Sequence, residues 1–131
     1  MSSRGVPVNF DWHDYLELAN ELCDQTKTSE LSDALLRSAI SRAYFAIFCL
    51  ARDYLVDKEG YTVTKKDSHT DVINQFKGKN NNDKQKIYIS LTRLREDRKK
   101  ADYYNIVKGL NKLATSVMIG AAKTIEILDS L

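Results

Sequence analysis

The fold this sequence predicts is all-α: an antiparallel bundle of four to five helices. Two observations lead there. The chain has one proline and five glycines among 131 residues, too few turn-formers for the many tight turns of a β-sandwich or barrel. Apolar residues also recur at helical spacing through long segments. With 43% hydrophobic and 29% charged residues, the composition is that of a folded chain and not of a disordered one. The length suits a single domain whose core needs no disulfide or metal staple.

The elements follow in order. Residues 1–8 read as a flexible lead, because Gly5 and Pro7 discourage regular structure, and one domain spans 9–131. A first helix is expected over about 10–26, with Trp12, Leu16, Ala19 and Leu22 on one face. The second and longest is expected over about 30–57. It carries two apolar stripes, Leu31, Leu35, Ala39, Ala43, Ala46, Leu50, Tyr54 and Leu36, Ile40, Tyr44, Ile47, Ala51, Leu55. A helix that is apolar on two adjacent stripes is packed from two sides, so it belongs at the centre of the bundle. Its alanines let a neighbouring helix come close, and Gly60 ends it.

A short third helix is expected over about 69–77, capped by Ser68 with Asp71 three residues on, and with His69, Val72, Ile73 and Phe76 sharing a face. Gly78 and Asn80–Asn82 form a polar loop. The fourth helix is expected over about 84–100, capped by Asp83, with Ile87, Leu91 and Leu94 facing inward. The last is expected over about 105–130, with Ile106, Leu110, Leu113, Val117, Ala121, Thr124 and Leu128 as its stripe.

The net charge of +2 is too small to mark a nucleic-acid-binding surface by itself. Cys23 and Cys49 lie among apolar neighbours and read as small buried hydrophobes of a reducing compartment. No cluster has zinc-ligand spacing and there is no Gly-rich phosphate loop, so neither metal nor cofactor is expected. The N-terminus lacks the apolar run of a signal peptide, and no stretch reads as long enough to cross a membrane. A cytoplasmic protein without a membrane partner is the expectation.

One segment carries pointed chemistry. Arg93, Glu96, Asp97, Lys99 and Lys100 suit a solvated helix face. Arg98 differs, because it falls one turn beyond Leu94 on the core-facing stripe, where a guanidinium is costly unless paired. Asp102, four residues on, can pair with it if the helix continues, and Tyr103 and Tyr104 add aromatic surface. Two readings of Arg98 stand side by side. It fastens a helix end together with Asp102, or it presents a guanidinium to phosphate in a cleft between helices.

The string Arg98-Lys99-Lys100-Ala101-Asp102-Tyr103 resembles the Arg-x-x-Ala/Gly-Asp-Tyr signature of small HEPN-domain proteins. Ser41-Arg42-Ala43-Tyr44-Phe45-Ala46-Ile47-Phe48 resembles that family's Ser-x-x-Tyr-Tyr-Ala-Met-Phe helix, with Phe45 in place of the second tyrosine. Ser68-His69-x-x-Val72-Ile73-x-x-Phe76 resembles its short third helix, and the three pieces stand in the family's order. The resemblance implies a HEPN-like helical bundle, commonly a homodimer. It implies either a nucleotide-binding or scaffolding module, often partnered by a small nucleotidyltransferase or an antitoxin, or a metal-independent ribonuclease of toxin–antitoxin or defence systems. In the nucleases a histidine follows the arginine after roughly four to six residues, and the 2′-hydroxyl of RNA attacks the adjacent phosphate to leave a cyclic phosphate end.

This chain departs from that pattern. Asp102, Tyr103 and Tyr104 stand where the histidine belongs, and no histidine follows His69. A carboxylate beside a guanidinium is a poor proton acceptor at neutral pH. Arg98 can still bind and polarise a phosphate. The sequence therefore favours an RNA- or nucleotide-phosphate-binding or partner-binding module, with a ribonuclease using Arg98, Asp102 and Tyr103 as the alternative. Tyr44, Arg95, Lys99, Tyr104 and His69 are the candidate binding residues around them. His69, at a helix start on its apolar side, and His13, between Trp12 and Asp14, otherwise suit structural roles.

Overall fold

A computed structural model describes residues 9–63 and 68–131. The lead expected over 1–8 lies outside the described residues. Within them there are five α-helices and no strand: α1 (His13–Gln25), α2 (Ser32–Glu59), α3 (Ser68–Asn74), α4 (Asn82–Tyr103) and α5 (Leu110–Ser130). A 3-10 turn, Thr26–Thr28, follows α1.

Helix α2 touches each of the other four, so the expectation of a central helix holds. Ala39, Ala43 and Ala46 are fully buried, and so are Ile40, Tyr44, Ile47 and Ala51 from the second stripe. Small side chains on one flank bring backbones close, and large ones on the other fill the core. An 18-residue window of α2 is apolar enough to cross a membrane, with mean hydropathy 1.4, which corrects the expectation that no stretch is long enough. Its cause is visible: 61% of that window is buried inside the bundle. Gly60 ends α2 in the left-handed region (φ 66), and the N–H groups of Gly60 and Tyr61 return to the Leu55 carbonyl.

Several boundaries differ from the sequence expectation. Leu31 precedes α2 and is 68% exposed, so it is not part of the buried stripe. Ser68 is itself the first residue of α3, and position 67, where its cap would sit, lies outside the described residues. Helix α3 stops at Asn74, and Phe76 reaches the core from the turn that follows. The cap of α4 is Asn81 and not Asp83: the Asn81 side chain accepts from the Lys84 N–H at 3.1 Å. Helix α5 begins only after Gly109 (φ 66), which leaves Ile106 on the connecting loop, 79% exposed.

The most consequential difference is the length of α4. It continues through Tyr103, beyond the expected end near 100. Arg37, on α2, explains why. Its Nη1 donates to the carbonyls of Ala101 (2.9 Å) and Tyr104 (2.6 Å), and its Nη2 donates to that of Asn105 (3.2 Å). A guanidinium across the C-terminal carbonyls satisfies acceptors the helix cannot, and complements its dipole.

His13 joins the start of α1 to the end of α5. Its Nδ1 meets Asp11 at 2.7 Å, and its Nε2 meets both Asp129 oxygens, at the end of α5, at 3.0 Å. Burial works against the imidazolium, but the hydrogen bonds to Asp11 and Asp129 outweigh it and raise the pKa above the ordinary 6.5.

Two outcomes follow from these contacts. Asn81→Ala should lower stability by about 1 kcal/mol in urea denaturation, and Asp83→Ala by clearly less. Equal losses would mean that the cap is misassigned. The His13 clamp stabilises fully below about pH 6.5, where the unfolded histidine is also protonated, and fades as pH rises through the raised folded value. The gap in melting temperature between wild type and His13→Asn should therefore narrow from pH 6 to pH 9. A gap that stays constant or widens contradicts the clamp.

Candidate functional site

The inward stripe of α4 runs Ile87, Leu91 and Leu94, all fully buried, and one turn later it reaches Arg98. The Arg98 side chain is 13% exposed. Its guanidinium lies over two rings of α2, 5.4 Å from the centre of Tyr44 and 5.2 Å from that of Phe45. Such contacts strengthen as water is removed. Phe45 also receives Arg42 at 5.1 Å.

The polar contacts of Arg98 are thin by comparison. Nη1 donates to Asp102 Oδ2 at 3.4 Å, and the Ser41 hydroxyl donates to the same oxygen at 3.4 Å. The buried Nε has no hydrogen-bond partner among the described residues. A guanidinium carries five N–H donors. The rings hold this one in place, and hydrogen bonds do not saturate it.

Tyr44 connects Arg98 to α3. It is fully buried, and its hydroxyl meets His69 Nδ1 at 2.7 Å. The His69 imidazole stacks on Phe48 (4.0 Å between centres, 15° between planes) and meets the edge of Phe45 at 5.8 Å. Side chains from the three segments Ser41–Phe48, Ser68–Phe76 and Arg98–Tyr103 thus converge on one aromatic cluster.

The structure brings Arg98, Asp102, Tyr44 and His69 together, with Tyr44 beneath the surface. Tyr103 and Tyr104 are 74% and 56% exposed. With Glu96, Arg98, Lys99 and Lys100 they line an open concavity of 410 Å³. The Lys99 ammonium lies 3.4 Å from Glu96. Arg95 faces elsewhere: its Nη1 donates to the Thr70 hydroxyl at 3.1 Å and lines a neighbouring 230 Å³ cleft between α3 and α4. Residues that sequence reasoning gave no site role include Phe45, Phe48 and Arg37. The first two belong to the helical string that carries the resemblance, which was the available signal. Arg37 had none, because its partners lie more than 60 positions away.

Cys49 is buried and Cys23 half-buried, both free, and burial pushes both thiols up, away from reactivity. Among the described residues no group of three or more His, Cys, Asp and Glu side chains converges on a metal position.

Tyr44→Phe keeps the ring under Arg98 and removes the hydroxyl from His69, so it should cost about 1–2 kcal/mol by urea unfolding. Tyr44→Ala should cost about 3–5 kcal/mol, since it opens the core as well. A phenylalanine variant as stable as wild type would show that the Tyr44–His69 bond contributes nothing. Compared with models of known protein families, with curated proteins and with solved structures, the chain finds no match.

Proposed function

We propose that the chain is a HEPN-type module that recognises the phosphate of an RNA or nucleotide at Arg98, within a prokaryotic defence or toxin–antitoxin-type system. The resemblance implies a second copy of the chain, and a small nucleotidyltransferase or antitoxin, as its protein partners. The observation that carries the reading is the state of Arg98. Its guanidinium is mostly covered, gripped by two rings, and makes one long hydrogen bond among the described residues. A fixed cation with unused donors matches the two-oxygen edge of a phosphate. Lys99 and Lys100 add positive charge at the same concavity, and Tyr103 and Tyr104 offer exposed faces on which a base can stack.

One observation favours a second reading, a metal-independent endoribonuclease. An imidazole, that of His69, is hydrogen-bonded to the tyrosine beneath Arg98, although it comes from α3 and not from the segment after the arginine. In that reaction the 2′-oxygen forms a bond to phosphorus, the bond to the 5′-oxygen breaks, and a proton passes from the first oxygen to the second. Arg98 would stabilise the charge on phosphate in between.

Both readings meet in one experiment: anisotropy titration of a short labelled single-stranded RNA and of AMP, in EDTA, with RNA integrity followed on gels. Arg98→Met still covers the rings and should weaken binding at least tenfold while leaving the fold intact by circular dichroism. Equal binding by wild type and Arg98→Met overturns the proposal. Cleavage to cyclic-phosphate ends by wild type, lost in both Arg98→Met and His69→Ala, selects the second reading.

A further inference from the structure

A second surface lies apart from Arg98. Helices α4 and α5 run antiparallel, and a long groove opens between their outer faces. It comprises two clefts of 530 and 580 Å³, both bordered by Lys123. Arg93 reaches across to α5: a Cβ added at Gly120 would stand 3.3 Å from its Nη2. The missing side chain at Gly120 thus gives the Arg93 guanidinium room to lie across α5. From Lys112 to Ser130 the groove follows α5 for about 27 Å at 1.5 Å per residue.

Its lining has a consistent chemistry. Lys86 and Arg93 come from α4, Lys112 and Lys123 from α5, and Glu126 is the carboxylate among the lining residues. Two isoleucines of α5 line it. Ile119 lines the cleft and is 52% exposed. Ile127 lines the second cleft and is half-buried. Apolar side chains flanked by cations, in a trough between two helices, match the anatomy of a helix-binding groove, with an apolar centre and a polar rim.

We infer that this groove docks an acidic amphipathic helix supplied by a partner protein, with leucine-like side chains against Ile119 and Ile127 and carboxylates facing Lys86, Arg93, Lys112 and Lys123. Charge complementarity selects this occupant: the rim has a fourfold cationic excess of side chains over its one carboxylate, which repels a basic helix and attracts an acidic one. The exposed part of Ile119 adds what a purely ionic surface lacks, apolar area that is desolvated only when a partner covers it. The length admits about 18 residues of helix. Arg98 takes no part, so this docking site and the proposed phosphate site stand or fall separately.

The test titrates the whole protein with two stapled 18-residue helical peptides, both leucine on one face, one with glutamate and the other with lysine on the rest. The glutamate peptide should bind wild type and Arg98→Met alike, and the lysine peptide should not bind. Arg93→Glu/Lys123→Glu should weaken glutamate-peptide binding at least tenfold, and so should Ile119→Asp, with circular dichroism confirming that each variant is folded. No binding of the glutamate peptide to wild type overturns the inference, as does equal binding to the variants. Two further results overturn it by naming another occupant. One is binding of a 20-nucleotide single-stranded RNA that the Arg93/Lys123 variant loses while Arg98→Met retains it. The other is self-association in sedimentation velocity that Ile119→Asp abolishes.

Discussion

Helix α2 must bury both of its flanks, and the rest of the molecule is arranged around that requirement. An exposed helix of this composition would leave a continuous apolar surface in water, at about 25 cal/mol for every Å². Four helices cover it instead. The alanine flank accepts close backbones, and the flank with Ile40, Tyr44 and Ile47 requires volume from its neighbours. Helix α4 answers with Ile87, Leu91 and Leu94, and then the geometry sets a problem, because the next side chain in that register is an arginine.

The solution is aromatic. Tyr44 and Phe45 give the Arg98 guanidinium faces to lie on, and Asp102, which also accepts from the Ser41 hydroxyl, offers it an oxygen only at 3.4 Å. An ion pair saturated with hydrogen bonds would have closed the site. Rings hold the cation without consuming its donors, so the same arrangement that makes the arginine tolerable in the bundle is the one the proposed phosphate site relies on. Arg37 completes the setting from a distance. By capping α4 it keeps Arg98 and Asp102 on one continuous helix and sets Tyr103 and Tyr104 at its exposed end.

Much of this was legible in the sequence. The two stripes of α2 and the inward row of α4 are periodic, and periodicity is what a chain displays openly. The pairing of Arg98 with Asp102 followed from spacing once the helix was allowed to continue. The errors have physical causes. Leu31 and Ile106 keep the register of their stripes but lie beyond the point where the helix begins, and a stripe cannot announce its own end. Asn81 and Asp83 are both good caps two positions apart, and only the backbone geometry chooses between them. Arg37 against the end of α4, and His69 against Tyr44, join segments far apart in the chain, where local patterns carry no information.

The central claim is that the Arg98 guanidinium is immobilised by rings yet keeps donors for phosphate. The most direct measurement is the arginine Nε–H region of a ¹H–¹⁵N spectrum, with Arg98 assigned by its loss in Arg98→Met, during titration with AMP. The account predicts a discrete Arg98 resonance in the free protein that moves saturably as nucleotide is added, while the other arginine resonances stay in place. A resonance unmoved by AMP, or one averaged with freely rotating surface arginines, would contradict it.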